Sequence, residues 1–168
     1  MPELPEVEVV KRSLTSKIQK LVVEKITVKD EKLRYRINKK KLKILLGLKI
    51  IKILRRSKFL LFVFEKNTVM LVHLGMTGKF FFLNSNAKKF KTSFYYDIDD
   101  SKDNKHNRLI FSLSKKQKLI YNDVRKFGFI KILDKRQLQY NLHLKNLGPE
   151  PLGNSCLLYT SDAADEWI

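Results

Sequence analysis

The chain begins with the sequence MPELPE, which contains the groups with the most distinctive chemistry. Pro2 is small, so removal of the initiator methionine would leave its secondary amine at the amino terminus. An α-amino group has a pKa near ~8, about two units below that of lysine, so a useful fraction is unprotonated at neutral pH. Such an amine can attack a sugar aldehyde carbon, and a secondary amine then gives an iminium ion. Glu3 could supply the proton transfers that this reaction needs.

A purely structural interpretation of the same residues is also available. Pro2 and Pro5 would stiffen the start of the chain, and Glu3 and Glu6 would lie favourably at the positive end of a helix dipole. Taken alone, one proline and one glutamate favour this structural interpretation. The choice between the two therefore depends on what the rest of the chain contains.

The charge balance points to nucleic acid as the default partner. The 168 residues suit one ordinary domain, and 35 basic against 17 acidic side chains give a formal net charge of +18. The hydrophobic share of 43% is enough for a core, which excludes a disordered basic tail. An acidic membrane surface is the weaker alternative, because no long basic amphipathic helix is visible.

The low cysteine count and the short apolar runs exclude several other classes of protein. A single cysteine excludes a disulfide framework and a complete cysteine-rich zinc site. The longest apolar run, residues 59–64, is too short to cross a bilayer. Because the first residues do not form a secretory signal, we expect a reducing compartment and a cytoplasmic location.

The hydrophobic spacing predicts a helix, then many strands. Apolar residues recur at helical spacing over Pro5 to Lys20, and a strand is expected over Val22 to Val28. Asn38 could cap a short lysine-rich helix that ends at Gly47. The following strands are expected over residues 48–54, 59–64, 69–74, 79–83, 108–113, 118–121 and 127–133. Short strands with turn signals are typical of a sandwich or barrel, with residues 84–107 as a long hairpin excursion.

Five motifs in order carry a family resemblance. They are MPELPEVE at the start, RRSKFLL at 55–61, HLGMTG at 73–78, NDVRKFG at 122–128 and LGPEPL at 147–152. With these motifs, residues 1–152 resemble the N-terminal domain of bacterial formamidopyrimidine-DNA glycosylases. The resemblance implies an α+β, mainly β fold. The implied architecture is a two-layer β-sandwich with an N-terminal helix and a second short helix at its edge.

The resemblance implies a function in base-excision DNA repair. A bifunctional glycosylase would remove oxidised purines and cleave the abasic site by β,δ-elimination through a Schiff base on the N-terminal proline. Pro2 would be the nucleophile that attacks the deoxyribose C1′, and Glu3 would be the general acid and base. Glu6 would help to shape the catalytic pocket, or would be only a charge at the helix start. Lys58 is the fourth residue implied to act in catalysis, and it would hold a DNA phosphate at the lesion. The alternative is that Lys58 is one more solvated surface lysine.

Four further residues are implied to bind DNA. His73 would contact a phosphate, although a histidine on an apolar strand would otherwise be taken as a core residue. Met76, Arg125 and Phe127 would fill the void left by the extruded nucleotide, since chemistry on a base requires its removal from the stack. Packing in the core is the alternative for the methionine and the phenylalanine. The glycines that flank them favour exposed turns.

The chain departs from the family pattern at two places. Val124 stands where the family usually has proline, and Lys126 where it usually has arginine. Neither change removes a proposed catalytic group. The two changes put the rigidity of the loop and one phosphate contact in doubt.

The end of the chain differs in composition from the rest. The run CLLYTSDAADE, which begins at Cys156, has no basic residue and resembles a translated sequencing adapter, although a native acidic terminus is the alternative. We expect a catalytic domain over 1–152, the start of a linker at 153–155 and a non-native tail over 156–168. The family's helix–two-turn–helix and zinc-finger domain would then be missing. Its zinc would be absent from this chain, and specific lesion excision would be very weak.

The expected partner is double-stranded DNA that contains oxidised purines or abasic sites, bound by a monomer with no membrane contact. A basic nucleic-acid-binding module without chemistry fits the composition and strand pattern equally well. A degenerate, inactive family member is a third possibility. A covalent adduct with abasic-site DNA would distinguish the glycosylase and lyase from both alternatives.

Overall fold

The computed structural model describes residues 4–85, 89–91 and 104–141. Pro2 and Glu3 lie outside the described residues, as do the expected linker and tail. Among the residues that are described, no helix is long and apolar enough to cross a membrane.

Helix α1 covers Leu4–Ile18 and forms as the apolar spacing predicts. Val7, Val10, Leu14 and Ile18 fall on one face and are almost completely buried in the main core. The helix ends before the predicted Lys20, because that residue has φ +73° and its amide donates to the carbonyl of Ile50.

The second predicted helix is split into two short pieces. Helix α2 covers Lys39–Leu42, and the Asn38 side chain accepts from the amide of Lys41 at 3.1 Å. A 3₁₀ turn follows over Lys43–Leu45, and Gly47 ends the segment with φ +82°. The lysine-rich sequence supplies few apolar anchors, so no longer helix is held against the core.

In the described part of the chain, nine strands form two antiparallel sheets, which confirms the predicted mainly β sandwich. Their bounds are Val23–Val28 (β1), Ile50–Arg56 (β2), Phe59–Phe64 (β3), Thr68–His73 (β4), Gly78–Leu83 (β5), Lys89–Lys91 (β6), Asn107–Leu113 (β7), Gln117–Asp123 (β8) and Phe129–Asp134 (β9). One sheet has the order β1-β7-β8-β5-β6 and the other the order β2-β3-β4-β9. Of the predicted hairpin excursion over residues 84–107, the structure describes residues 84–85, strand β6 and residues 104–107, which include a 3₁₀ turn over Asn104–His106.

Two strand predictions need correction at the ends that matter for the site. Strand β8 continues past Tyr121 to Asp123, because Asn122 and Asp123 are fully buried polar residues whose side chains are hydrogen-bonded. Strand β9 starts at Phe129 and not at Phe127, which lies 43% exposed in the preceding loop. The polar residues at 122 and 123 were wrongly placed outside a strand, and the apolar residue at 127 was wrongly placed inside one.

The two sheets and α1 enclose the main core. Continuous burial of β3 fits its position between two strands with apolar side chains on both faces. A second, smaller cluster lies on the outer face of the β2-β3-β4-β9 sheet and includes Leu61, Leu71 and Phe129. The largest fully buried side chains of the core include Tyr121, Phe62, Phe80, Phe81 and Phe111.

The strand register brings the turns that carry the motifs to one end of the sandwich. His73 pairs with Phe129 between β4 and β9, and Gly78 pairs with Asp123 between β5 and β8. The β2–β3 turn, the β4–β5 turn (residues 74–77) and the β8–β9 loop (residues 124–128) therefore open at the same end.

Candidate active site

A buried ion pair fixes the start of α1 against the β2–β3 turn. Glu8 accepts a hydrogen bond of 2.6 Å from Arg55 Nε, and the Arg55 side chain is only 2% exposed. Arg55 Nη1 also donates to the carbonyl of Ser57 at 3.1 Å. The first turn of α1, which holds the half-buried Glu6, is thereby joined to the turn that holds the half-buried Lys58.

The same contacts set the protonation of Glu8. Burial raises the pKa of the Glu8 carboxyl, but the hydrogen bond from Arg55 and the nearby Lys11 and Arg12 outweigh it and hold the pKa below its ordinary value. Glu8 is therefore ionised at neutral pH, and its charge is matched to the buried guanidinium.

A Glu8→Gln substitution should destabilise the fold at neutral pH by about 3 kcal/mol, because it leaves the Arg55 cation buried without its counter-charge. Since folding lowers the pKa of Glu8, its contribution is complete above the ordinary value of 4.5 and is lost as the pH falls through the folded value. Urea unfolding at several pH values should show the difference between the two proteins shrinking in acid. A constant difference from neutral to strongly acidic pH would contradict this account.

His73 lies half-buried at the end of β4 in a row of aromatic rings. Its ring stacks on Phe129 at 5.6 Å with planes 9° apart, and it contacts Phe59 at 5.0 Å. The amide of Gly75 donates to His73 Nδ1 at 3.0 Å. Because Nδ1 is the acceptor, Nε2 carries the proton of the neutral ring and is the nitrogen that can donate to an external group.

Met76, Arg125 and Phe127 are brought together at the open end of the sandwich. Met76 is 38% exposed and Phe127 is 43% exposed, so the alternative of core packing does not apply to either. The Arg125 guanidinium lies 4.8 Å from the centre of the Phe127 ring, and Arg125 Nη1 lies 3.4 Å from Met76 Sδ. Three side chains from two different turns therefore form one exposed cluster.

A buried carboxylate holds these two turns in place. Asp123 is fully buried, and its Oδ1 accepts from Thr77 Oγ1 at 2.6 Å and from the amide of Lys126 at 3.1 Å. Its Oδ2 accepts from the Tyr121 hydroxyl at 2.8 Å and from the amide of Gly128 at 3.0 Å. Four donors from β8, the β4–β5 turn and the β8–β9 loop thus converge on one side chain.

The hydroxyl groups in this network are locked as donors. Burial, followed by the charge of Asp123, raises the pKa of Tyr121 well above its ordinary value, so the phenol stays protonated. Thr77 Oγ1 donates to Asp123 and accepts from the amide of Arg125 at 2.9 Å. The backbone that presents Arg125 is therefore fixed through a single hydroxyl to the carboxylate.

A second set of bonds holds the other side of the loop. Arg108 Nε donates to the carbonyl of Asp123 at 2.9 Å, and its Nη2 donates to the carbonyl of Val124 at 3.3 Å. Lys126 Nζ lies 2.5 Å from Asp30 Oδ2, a hydrogen bond that lowers the pKa of Asp30. These contacts show how a loop without proline at 124 is held, and they give Lys126 a structural partner within the protein.

Two glycines allow the β4–β5 turn and the β8–β9 loop to touch. Gly75 has φ +61°, and a Cβ there would lie 2.5 Å from the amide nitrogen of Gly128. A Cβ on Gly128 would lie 2.0 Å from the Tyr121 hydroxyl and 2.6 Å from the carbonyl oxygen of His73. The contacts at Gly75 are all to backbone, whereas those at Gly128 are to the His73 carbonyl and to the buried side chains of Tyr121 and Asp123. None of these atoms can give way cheaply.

A Gly128→Ala substitution should therefore cost roughly 3 kcal/mol or more of stability, as other overpacked positions do. Adding Tyr121→Phe removes the closest colliding atom and should restore part of the loss, although the collision with the His73 carbonyl remains. Gly47→Ala is the control, because a Cβ there meets nothing within 4 Å and only the positive φ opposes it. Equal unfolding midpoints for the two alanine variants would show that the close approach at Gly128 has no energetic weight.

The residues that hold the cluster are not predicted by the sequence motifs. Asp123 lies in the NDVRKFG motif, but no role is predicted for it. Thr77, Tyr121 and Arg108 are predicted only as parts of turns and strands. One signal was available: an acid placed directly before an exposed basic loop in a strand-end motif is a common hydrogen-bond acceptor for turn amides.

The residues present do not fit the zinc site implied for the whole family. The sequence has a single cysteine, and in the described ranges no three His, Cys, Asp or Glu side chains converge.

Comparisons with known proteins agree with the geometry. Residues 1–130 match the family model described as the formamidopyrimidine-DNA glycosylase N-terminal domain. Formamidopyrimidine-DNA glycosylases of Rhodopseudomonas palustris (strain TIE-1) and Rickettsia bellii (strain OSU 85-389) are 35% and 37% identical over 92% of this chain. The chain spans 53% and 51% of the lengths of those proteins, about half.

Solved structures of the Lactococcus lactis enzyme, Fpg, have a fold similar to that of this chain. A complex with DNA that contains an abasic site matches with a TM-score of 0.70 at 30% identity, over 89% of this chain and 50% of that one. A complex of the inhibited enzyme with DNA that contains N7-benzyl-Fapy-dG gives a TM-score of 0.72 over the same shares. From its sequence and its fold, the chain belongs to the formamidopyrimidine-DNA glycosylase family.

Proposed function

We propose that this chain is the catalytic half of a bifunctional DNA glycosylase and abasic-site lyase of base-excision repair. Its substrate is double-stranded DNA that contains oxidised purines, such as 8-oxoguanine and formamidopyrimidines, or an abasic site. The chain spans about half the length of its relatives, and capture of a pre-formed abasic site is the part of this activity that requires no recognition of a damaged base.

The observation that carries this proposal is the exposed cluster of Met76, Arg125 and Phe127, held by Asp123 at one end of the sandwich. An exposed methionine and phenylalanine on a rigid, cationic turn suit a role inside a DNA duplex. They can replace the stacking of an extruded nucleotide, and the guanidinium can donate to the orphaned base. The Glu8–Arg55 pair supports placing the amino terminus at this end, since Pro2 precedes α1 by only two positions.

The proposed chemistry begins at the Pro2 nitrogen. The unprotonated amine attacks the deoxyribose C1′, the bond from C1′ to the damaged base breaks, and the base leaves with a proton. Glu3 protonates the sugar oxygen as the ring opens, which gives an iminium ion between C1′ and the proline nitrogen. The iminium acidifies C2′, so loss of its proton expels the 3′ phosphate, and a second elimination expels the 5′ phosphate.

The DNA-binding residues would hold the backbone during these steps. Lys58 and the Nε2–H of His73 would donate to phosphates beside the lesion, and their positions at the β2–β3 turn and the end of β4 support this assignment. A net charge of +18 adds a sequence-independent attraction to DNA that falls steeply with salt.

Borohydride trapping tests the proposal. The chain is mixed with duplex DNA that contains one abasic site, and the reductant converts an iminium into a stable covalent adduct. We expect an adduct with abasic-site DNA and none with the undamaged duplex. Failure to form any adduct with abasic-site DNA, under conditions in which the duplex is bound, would favour a binding module without chemistry or an inactive member of the family.

A further inference from the structure

A second cationic surface adjoins the candidate active site on the outer face of β9. It consists of Arg34, Tyr35 and Lys131 and is called the Tyr35 patch below. Tyr35 is 39% exposed and packs edge-on against Phe129, with ring centres 5.1 Å apart. Lys131 Nζ lies 4.2 Å from the centre of the Tyr35 ring and 5.4 Å from that of Phe129.

The second cation of the patch is held by the same ring. The Arg34 guanidinium carbon lies 5.7 Å from the centre of Tyr35, within the range of a cation–π contact. One aromatic ring therefore orders two cations from different segments of the chain. A long cationic side chain that is already ordered loses less conformational entropy when it binds a partner than a freely rotating surface lysine does.

The patch is joined directly to the β8–β9 loop. The amide of Arg34 donates to the carbonyl of Gly128 at 3.1 Å, so the patch begins where the loop of Arg125 and Phe127 ends. Phe129, on which Tyr35 rests, is also the ring on which His73 stacks. If Phe127 inserts into a DNA duplex, the backbone next to the insertion point would therefore lie close to the patch.

The local acids do not cancel this charge within the patch. Asp30 and Glu31, in the same loop as Arg34, form ion pairs with other cations. Arg34 and Lys131 therefore add two positive charges beside the β8–β9 loop. The partner chemistry that suits two fixed cations beside a DNA-entering loop is a pair of backbone phosphates.

We propose that the Tyr35 patch binds phosphates of the DNA backbone next to the void-filling loop. Lys131 and Arg34 are its phosphate contacts, and Tyr35 positions them. The inference rests on the proposed function in that the chain must bind DNA, but it does not depend on the Pro2 chemistry. It assigns a DNA-contact role to Lys131, a residue outside all five motifs.

The salt dependence of DNA binding tests this assignment. Affinity for a short undamaged duplex is measured over a series of salt concentrations for the full 168-residue chain and for Lys131→Gln. Loss of one phosphate contact should reduce the slope of log affinity against log salt by about 0.9 and weaken binding roughly five- to tenfold at ~0.1 M salt. Arg34→Gln should behave in the same way, and Lys131→Arg should restore the slope.

Lys116→Gln is the matched control, since Lys116 is an exposed lysine in the turn between β7 and β8. Its slope should stay close to that of the parent chain. Equal slopes for Lys131→Gln and the parent chain, or an equal loss in Lys116→Gln, would overturn the assignment, as would the absence of any duplex binding. A trapped adduct together with an unchanged slope would reject the patch alone, whereas a reduced slope without an adduct would reject only the catalytic proposal.

Discussion

A Pro2→Gly variant should form the borohydride-trapped adduct much more slowly than the parent chain, on the order of tenfold or more. The secondary amine of proline can form only a cationic iminium ion. A primary amine on glycine gives a neutral imine, which must gain a proton before it activates the sugar. Initial rates of adduct formation on abasic-site DNA, measured at equal DNA occupancy, give the comparison.

Lys58→Ala is the control for the competing nucleophile. Lys58 is the other amine that the family pattern places at the lesion, and a lysine can also form a Schiff base. If Lys58 only holds phosphate, the alanine variant should bind DNA more weakly and still give the adduct at saturating protein. Adduct formation that survives in Pro2→Gly at the full rate and disappears in Lys58→Ala would assign the nucleophile to the lysine.

An Asp123→Asn variant should lose about 3–5 kcal/mol of folding free energy. The carboxylate accepts from four donors, and an amide in its place presents an N–H₂ group to two of them. Each buried donor left without an acceptor costs roughly 1–3 kcal/mol. Urea unfolding measures the loss, and DNA binding by any protein that remains folded should fall because Arg125 and Phe127 are no longer held together.

Asp134→Asn is the matched control for this change. Asp134 also accepts several hydrogen bonds, from the backbone and side chain of Arg136, and these lower its pKa to about 2. Its ion pair is on the surface, where water screens the two charges, so loss of the pair should change the stability little. Similar losses for the two asparagine variants would mean that the buried position of Asp123 has no special weight.

The elements with strong hydrophobic periodicity were predictable from the sequence. Strand β3 is predicted with its observed bounds, since an apolar run of six residues between turn signals has few other structures. Helix α1 is predicted to within two residues at its end. In both cases the buried face is determined by local spacing, so the pattern of side chains carries the information.

The strand ends at the candidate site were harder to predict, because long-range contacts set them. Asn122 and Asp123 look like turn residues, yet both are fully buried within β8 by bonds to residues far along the chain. Phe127 looks like the first residue of a strand, yet it is exposed. The cluster that would enter DNA and the network that holds it both depend on pairings between β4, β5, β8 and β9, which no local pattern reports.

The family motifs predicted a set of candidate site residues but not how these residues are held. Met76, Arg125 and Phe127 come from two motifs, and the structure brings them into contact. Their common support, Asp123, became visible only when the donors around it were known. The Tyr35 patch was likewise hidden, because Lys131 stands in an alternating strand and reads as an ordinary solvent-facing residue.

Peptide mapping of the trapped adduct tests the central claim most directly. The adduct with abasic-site DNA is digested with a protease and a nuclease, and mass spectrometry locates the residual sugar fragment. We predict that it lies on the nitrogen of Pro2, in a peptide that has lost Met1. A fragment attached to Lys58 or any other lysine, or an adduct whose peptide still begins with Met1, would contradict the account.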